Sequence, residues 1–419
     1  MTSILEIGKR AKAASFIMAE MSDTDKRDCL LRVAESIVDN ADRIIDENKK
    51  DVVLAEERGT SPAMIDRLKV DLKKIEAMAE GVRQVAELPD PNNELLETVT
   101  RPNGMIIEKR RVPIGVIGII YESRPNVTAD AFALTFRSGN ACILRGGSDA
   151  INSNTAIEQV IREALSKKKP GIEESVQLIK DLSHDSVNEL MKMRQYVDLL
   201  IPRGGAGLIN NVVKNSTVPV IETGVGNCHI YVDKDADLNK AVPIIVNAKT
   251  QRMGVCNAAE SLVIHDAIID KALPLIYEAL HEKNVELRGD KRVMEILNDS
   301  KDVVSATDED YGTEYLGPVI SVKTAFSLEE AIYHINRYTT HHSECIVTED
   351  KEAAETFLKR IDAACVYHNV STRFTDGFEF GFGAEIGIST QKIHARGPMG
   401  LNALMSYKYE IRGNGQVRP

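Results

Sequence analysis

The first 90 residues place apolar side chains at the spacing of amphipathic helices. Ser22 can cap a helix whose apolar positions between residues 30 and 45 share one face. Pro62 opens a further helical stretch that continues through Met78. The segment 88–93 is rich in proline and asparagine and ends this pattern, so the sequence predicts a helical N-terminal region.

Extended chain is predicted from residue 95 onward. Residues 95–111 alternate apolar with charged positions, which indicates an exposed hairpin that projects from the body. Buried strands are predicted by apolar runs at 112–120, 141–144, 176–179, 197–201 and 218–221. Helical stretches of ten or more residues separate several of these runs, and this alternation predicts a parallel, doubly wound sheet.

A second alternating set of strands and helices occupies residues 230–380. Its strands are predicted at 261–265, 319–322 and 345–347, and its helices at 236–250, 266–282, 327–336 and 351–361. Residues 400–412 alternate again, like a late strand that joins another sheet. The predicted fold class is therefore α/β, with two doubly wound parallel-sheet domains.

Composition narrows the set of partners. The 419 residues carry a net charge of −11, contain no tryptophan and are only 5% aromatic, so a nucleic-acid partner is not expected. No apolar run approaches the ~18 residues of a membrane span, and the N-terminus lacks the apolar core of a secretory signal. The six cysteines are scattered without a paired motif, which is typical of a reducing compartment, and the predicted location is cytoplasmic.

Cys256 is the strongest candidate for chemistry. It lies in the polar, glycine-containing segment 247–260, whereas structural cysteines usually pack among apolar neighbours. Glu222 precedes it by 34 positions (256 − 222), on a glycine-rich turn. A carboxylate followed by such a cysteine indicates acyl transfer through a thioester, and the alternative is a half-exposed loop thiol without a function.

Two glycine-rich turns follow predicted strands, Arg145-Gly146-Gly147-Ser148 and Arg203-Gly204-Gly205. Glycines in this position allow backbone N–H groups to approach a phosphate at a helix N-terminus, and the arginine in each turn favours an anion. Neither turn has the spacing of an established nucleotide motif, so ordinary tight turns are the alternative.

Other polar residues occupy positions where ligands bind in α/β sheets. Arg124 and Asn126 follow the strand that ends near residue 120, and a simple helix start is the alternative. The pair His341-His342 lacks a third ligand at a suitable spacing. A substrate contact or a solvated loop is therefore predicted there, and no metal site.

Five segments carry a resemblance to a known family, at 115–127, 136–147, 221–229, 247–257 and 381–392. In the same order and across nearly the whole chain, they resemble the gamma-glutamyl phosphate reductases of the aldehyde dehydrogenase superfamily. The resemblance implies an aldehyde-dehydrogenase-like fold with two doubly wound domains and a small β oligomerisation flap. The implied divisions are an NADPH-binding domain at 1–95 and 112–229, a catalytic domain at 230–385, and the flap at 96–111 and 399–415.

The resemblance also implies a reaction, the NADPH-dependent reduction of L-glutamyl 5-phosphate to L-glutamate 5-semialdehyde in proline biosynthesis. In this reaction the Cys256 thiolate attacks the small acyl phosphate, phosphate leaves, and hydride transfer releases the aldehyde from the thioester. The resemblance further implies a homo-oligomer, a dimer or a tetramer, and a glutamate 5-kinase as a candidate partner.

Several residues receive roles from the resemblance alone. Glu222 occupies the position of the superfamily glutamate that activates water, although a reductase does not need hydrolysis. The oxyanion that forms on the substrate needs two hydrogen-bond donors. The Cys256 N–H is expected to be one of them, and the Asn126 side chain is a candidate for the other. Gly224 is expected near the cofactor, and Glu314 at the nicotinamide ribose.

Two arginines late in the chain, Arg373 and Arg396, are candidates for binding the substrate's carboxylate or phosphate, with surface ion pairs as the alternative. At the first glycine-rich turn, NAD-using relatives carry a lysine and, three residues later, a glutamate, where this chain has Arg145 and Ser148. The missing carboxylate implies a preference for NADPH. Two rival functions stay open: a dehydrogenase that oxidises another aldehyde, and a non-catalytic binding protein on this fold.

Overall fold

The structure is a computed structural model that describes residues 2–122, 124–298 and 300–418. The chain divides into two units. Unit 1 comprises the described residues of 1–222, 381–387 and 399–419. Unit 2 comprises those of 223–380 and 388–398.

Both units are built from α-helices and β-strands. The α-helices are α1 (Ile4–Ala19), α2 (Asp23–Asp39), α3 (Ala41–Glu57), α4 (Pro62–Leu68), α5 (Leu72–Glu87), α6 (Asn126–Arg137), α7 (Ile151–Ser166), α8 (His184–Lys192), α9 (Ala206–Asn215), α10 (Leu238–Thr250), α11 (Asp266–His281), α12 (Lys291–Ile296), α13 (Leu328–Tyr338) and α14 (Lys351–Arg360). The strands are β1 (Leu95–Thr100), β2 (Ile106–Pro113), β3 (Val116–Tyr121), β4 (Ala141–Arg145), β5 (Val176–Leu178), β6 (Leu199–Arg203), β7 (Cys228–Val232), β8 (Ala259–His265), β9 (Glu286–Gly289), β10 (Val303–Ser305), β11 (Val319–Ala325), β12 (Ser343–Val347), β13 (Cys365–His368), β14 (Ile388–Ser389), β15 (Gly397–Pro398) and β16 (Met405–Arg412).

The predicted helical N-terminal region is confirmed, and each of its two predicted stretches is divided. The Ser22 hydroxyl caps α2 by accepting a hydrogen bond from the Asp25 N–H at 3.1 Å. Asn40 then separates α2 from α3. The stretch after Pro62 divides because the Asp71 side chain starts a new helix, accepting from the Lys74 N–H at 2.8 Å.

Unit 1 contains a four-stranded parallel sheet with the order β5-β4-β3-β6. Strands β3 and β4 are buried along their whole length, as their continuous apolar runs predict. The strand predicted at 218–221 is wrong, because that segment forms only one bridge, between Val220 and Leu200. Pro219 has no N–H with which to extend the pairing.

Unit 2 contains a seven-stranded parallel sheet with the order β10-β9-β11-β8-β7-β12-β13. Apolar residues cover both faces: Ile230 and Val232 pack on one side, and Tyr231 packs with Phe357 on the other. The second predicted α/β set is confirmed. The periodicity did not reveal β9, α12 and β10.

The predicted hairpin is confirmed as β1 and β2, which pair antiparallel. The predicted late strand is β16, which pairs with β2 along its whole length, from Met405 opposite Pro113 to Arg412 opposite Ile106. Tyr407, Tyr409 and Ile411 on this strand are exposed. The role of this three-stranded sheet in oligomerisation stays a prediction. Within the described ranges, no helix has both the length and the apolar composition needed to cross a membrane.

Candidate active site

Cys256 lies in the loop between α10 and β8, at the amino end of a strand in the middle of the unit 2 sheet. The segments that lead into β7, β11 and β12 carry Gly226, Glu314 and His342. Because the order β11-β8-β7-β12 is parallel throughout, these four segments meet at one edge of the sheet. The candidate nucleophile is therefore surrounded by loops at the amino ends of the strands.

Residues at and just before the start of β7 contact the backbone of Cys256. The Cys228 thiol donates a hydrogen bond to the Cys256 carbonyl oxygen at 3.2 Å. A Cβ on Gly226 would lie 1.4 Å from the same oxygen, so only glycine fits at this position. Cys256 itself is partly exposed, whereas the other five cysteines are buried. This combination of exposure and a fixed backbone favours Cys256 as the reactive thiol.

Glu314 connects two of the loops at this edge. Its Oε1 accepts a hydrogen bond from the Gly226 N–H at 2.6 Å. Burial raises the pKa of Glu314, and the hydrogen bond from Gly226 opposes that shift. The carboxylate thus touches the residue that packs directly against the Cys256 carbonyl, while its predicted contact with a nicotinamide ribose stays a prediction.

A fully buried ion pair lies behind the nucleophile's loop. Lys249 Nζ donates to Glu260 Oε2, and both side chains are 0% exposed. Glu260 Oε1 accepts from the Leu316 N–H at 3.1 Å, and Leu316 has a positive φ of 54°, which leucine rarely adopts. Burial lowers the pKa of Lys249 and raises that of Glu260. Sequence patterns missed this pair, because a Lys and a Glu eleven positions apart usually face solvent.

Replacing Lys249 with methionine should lower the free energy of unfolding by ~3–5 kcal/mol, because the Glu260 carboxylate would stay buried without its partner. Urea denaturation of the purified protein measures the change. The double variant Lys249→Met/Glu260→Leu is the matched control, and it should be more stable than the single variant because it buries no charge. A single variant as stable as the wild type would contradict the prediction.

Arg373 contacts the loop of the nucleophile through two hydrogen bonds. Its Nε donates to Gln251 Oε1 at 2.8 Å, and its Nη1 donates to Asn257 Oδ1. Burial and the neighbouring charge of Arg252 lower the pKa of Arg373, whereas the charge of Cys256 raises it. A guanidinium close enough to Cys256 to interact with it electrostatically can stabilise a thiolate or bind an anionic group.

His342 and Arg396, both predicted as candidate substrate contacts, contact other residues of the chain in the structure. The His342 side chain is fully buried, with Nδ1 2.8 Å from Ser343 Oγ and 3.8 Å from Cys228 Sγ, and burial lowers its pKa to about 4. It is therefore a neutral ring enclosed behind Cys228. Arg396 Nη2 donates to Asp362 Oδ1 at 2.9 Å, which is the ion pair that the sequence left as its alternative.

The first glycine-rich turn follows β4 in unit 1. Arg145 is 8% exposed, and its Nη2 donates to the Leu182 carbonyl at 3.0 Å while burial lowers its pKa. A Cβ on Gly146 would lie 2.3 Å from Asn154 Nδ2, so the turn needs glycine. That amide nitrogen is buried without a hydrogen-bond partner among the described residues. An unsatisfied donor against a glycine turn is suited to an acceptor group of a ligand.

The second glycine-rich turn leads into α9. The Gly205 N–H donates to Glu122 Oε2 at 3.1 Å, and a Cβ on Gly204 would lie 2.5 Å from Glu122 Cδ. This contact shows that the N-terminus of α9 accepts a negative group. Sequence reasoning missed Glu122, which follows β3 just as the glycine turns follow β4 and β6. The three turns lie at the carboxyl ends of adjacent parallel strands, as predicted.

The remaining predicted residues have local partners. Asn126 begins α6 and donates to Asp130 Oδ2 at 2.9 Å, and Arg124 is exposed just before it. The Gly224 N–H donates to the Ile388 carbonyl at 2.9 Å. Glu222 is half-buried and belongs to unit 1, whereas Cys256 belongs to unit 2. A joint role for Glu222 and Cys256 therefore stays a prediction.

Comparison with known proteins extends over the whole chain. The model of the aldehyde dehydrogenase family matches residues 2–294 and 301–408. A gamma-glutamyl phosphate reductase from Lachnospira eligens is 60% identical over 419 residues, which cover 100% of both chains. The chain belongs to the gamma-glutamyl phosphate reductase family. The crystal structure of a family member from Thermotoga maritima matches with a TM-score of 0.97 at 48% identity, again over 100% of each chain.

Membership in the gamma-glutamyl phosphate reductase family confirms the predicted family, fold class and type of enzyme. A second relative, from one strain of Clostridium botulinum, is 55% identical over 100% of both chains and carries the same name. The chain is therefore an oxidoreductase that acts on a small molecule with a nicotinamide cofactor. A non-catalytic role for the fold no longer has support.

Proposed function

We propose that the chain reduces L-glutamyl 5-phosphate to L-glutamate 5-semialdehyde with NADPH and releases phosphate, as the second step of proline biosynthesis from glutamate. The observation that carries this proposal is the partly exposed Cys256, whose backbone is enclosed by Gly226 and Cys228, in a chain that matches the reductases from end to end. The proposed location is the cytoplasm, and a glutamate 5-kinase is the proposed source of the acyl phosphate.

The chemistry begins at the Cys256 sulfur. Its thiolate attacks the acyl carbon, the carbon–oxygen bond to phosphate breaks, and phosphate leaves with the bonding electrons, so that a thioester remains. A nicotinamide cofactor, when bound, would supply a hydride for the thioester carbon. The resulting oxyanion collapses, the carbon–sulfur bond breaks, and the aldehyde leaves while the thiolate is restored.

The chain's own residues support each stage. The Arg373 guanidinium, bonded to Gln251 and Asn257 on the nucleophile's loop, favours the thiolate and attracts the anionic acyl phosphate. The Cys256 N–H is the proposed oxyanion donor, since its loop is fixed before substrate binds. Asn126 as a second donor and Glu222 as a residue that tunes the thiol are proposed on the family resemblance, and Arg124 as a substrate contact on its place after β3.

The glycine turns of unit 1 fit a dinucleotide. Gly146 and Gly147 precede Ser148 beside the unsatisfied Asn154 amide, and the N-terminus of α9, at Gly204 and Gly205, already donates to a carboxylate. We propose that these turns hold the cofactor phosphates, with Gly224 and Glu314 nearer the nicotinamide. The Arg145 charge and the uncharged Ser148 favour the extra phosphate of NADPH.

The cofactor preference gives a direct test. The wild type should show a kcat/KM for NADPH at least ~10-fold above that for NADH, and Ser148→Glu should reverse or abolish this preference, because a carboxylate repels the 2′-phosphate. Ser148→Gln is the matched control, since glutamine has nearly the same size as the glutamate of Ser148→Glu but carries no charge. Steady-state kinetics with each nucleotide measures these kcat/KM values. A wild-type preference for NADH would overturn the proposal.

The reaction itself is tested in the reverse direction. With L-glutamate 5-semialdehyde as substrate, reduction of NADP⁺ should require inorganic phosphate, because only phosphate returns the thioester to the acyl phosphate. Formation of free glutamate without phosphate would instead identify an enzyme that oxidises an aldehyde by hydrolysis.

We also propose that the sheet of β1, β2 and β16 joins copies of the chain, since Tyr407, Tyr409 and Ile411 are exposed on it.

A further inference from the structure

Cys228 is a second cysteine at the candidate site, and the reaction does not use it. It is the first residue of β7 and is 0% exposed. Its sulfur lies 3.2 Å from the Cys256 carbonyl oxygen and 3.8 Å from His342 Nδ1. A buried thiol normally behaves as a small apolar group, so a contact with the nucleophile's own backbone calls for a physical explanation.

An irregular pairing between β7 and β8 accompanies this contact. Cys228 lies opposite Ala259, but His229 lies opposite Ser261, which leaves Glu260 without a partner on β7. Such bulges reorient side chains next to active sites. Glu260 forms the buried ion pair with Lys249 and accepts a hydrogen bond from the Leu316 N–H. Cys228 contacts the carbonyl oxygen of Cys256, in the loop that leads into β8.

The carbonyls on either side of the Cys256 carbonyl are also held. The Val255 carbonyl accepts from the Ala258 N–H at 3.1 Å, which closes a turn around the nucleophile. The Asn257 carbonyl accepts from Thr372 Oγ1 at 2.8 Å. The Cys228 thiol supplies the donor for the carbonyl between them. Three consecutive carbonyls therefore have defined partners: one lies within the loop itself, and the other two are Cys228 at the start of β7 and Thr372.

The thiol of Cys228 acts as a donor and not as a competing nucleophile. Burial and the nearby Glu344 carboxylate raise the pKa of Cys228 well above its ordinary value, so that the proton stays on sulfur. The carbonyl oxygen of Cys256 can only accept. The polarity of the contact is thereby determined, with Cys228 donating to Cys256.

We propose that Cys228 is a positioning residue for the nucleophile: its thiol holds the Cys256 carbonyl and thereby aims the Cys256 sulfur and N–H at the acyl group. This inference rests on the proposed function of Cys256. A neighbouring hydrogen bond of this kind affects the reaction through geometry, since small displacements of a reacting group reduce its rate.

Two substitutions distinguish the effect of the Cys228 hydrogen-bond donor from the effect of its side-chain volume. Cys228→Ala removes the donor, and we expect kcat to fall by ~10- to 100-fold while KM for the nucleotide stays at the wild-type value. Cys228→Ser keeps an O–H donor at the same position and should recover most of the lost kcat. Assays run well below the melting temperature of each variant, so a purely structural role would leave kcat of both variants near that of the wild type.

The possible outcomes are distinguishable. A Cys228→Ala enzyme with wild-type kcat, or equal losses in Cys228→Ala and Cys228→Ser, would overturn the inference. If the alanine variant does not fold, Cys228→Val, which fills the space without a donor, is measured against Cys228→Ser with the same criteria. Turnover retained in Cys256→Ala would overturn the proposed function itself, whereas an inactive Cys256→Ala beside a fully active Cys228→Ala would overturn only the role of Cys228.

Discussion

Replacing Cys256 with alanine should reduce kcat by at least ~10⁴-fold, because Cys256 is the proposed source of the thioester through which phosphate leaves. The loss should appear both in reduction of the acyl phosphate and in the reverse assay with semialdehyde and phosphate. Binding of NADPH should persist, because the proposed phosphate-binding turns belong to unit 1 and Cys256 belongs to unit 2. Nucleotide fluorescence measures binding, and a spectrophotometric assay measures turnover.

Cys29→Ala is the matched control for the nucleophile. Cys29 is buried in α2, and burial raises the pKa of its thiol to about 11, so it carries no thiolate near neutral pH. This variant should keep its turnover, with at most a modest loss of stability. A Cys256→Ala enzyme with appreciable turnover would contradict the assignment of the nucleophile.

Gly226→Ala should give the largest effect of any single methyl group added at the candidate site. The new Cβ would lie 1.4 Å from the Cys256 carbonyl oxygen, a distance that no rotamer change can relieve because both groups are backbone-fixed. Either the loop of the nucleophile moves or the segment before β7 does. We expect both a loss of more than ~4 kcal/mol in the free energy of unfolding and a loss of turnover, measured by urea denaturation and by the assay above.

Gly81→Ala provides the control for adding a methyl group. Gly81 lies inside α5, and its Cβ would meet only Asp130 Oδ1, at an ordinary 3.6 Å. Alanine is the better helix former by ~1 kcal/mol, so this variant should be as stable as the wild type or more stable. Wild-type stability and kcat in Gly226→Ala would show that the Cys256 carbonyl does not pack against Gly226.

The charged residues on either side of Cys256 escape sequence patterns. Lys249 and Glu260 flank the candidate nucleophile in the sequence, yet neither periodicity nor spacing distinguishes them from surface charges. They pair and are buried only in the folded chain, where α10 packs beside β8 and Glu260 lies at the shift in register between β7 and β8. Glu122 was missed for a related reason, since its contact with Gly205 requires β3 and β6 to be neighbours.

His342 and Arg396 show what residue type leaves open. The sequence allowed a substrate contact or a solvated loop for His342, and a substrate contact or a surface ion pair for Arg396. The structure encloses His342 behind Cys228 and pairs Arg396 with Asp362. Residue type indicates what a side chain can bind, but burial and partners decide what it does bind.

The sequence by itself determined most of the local elements, the α/β class and the family. Apolar runs and helical spacing act over a few residues, and an N-cap such as Ser22 acts within one turn, so these features can be predicted without a sheet. Five segments spread over nearly the whole chain were sufficient to identify the family. Only the tertiary structure decided that Cys256, the candidate nucleophile, lies at the amino ends of four neighbouring strands, because strand order and register bring together residues that are distant along the chain.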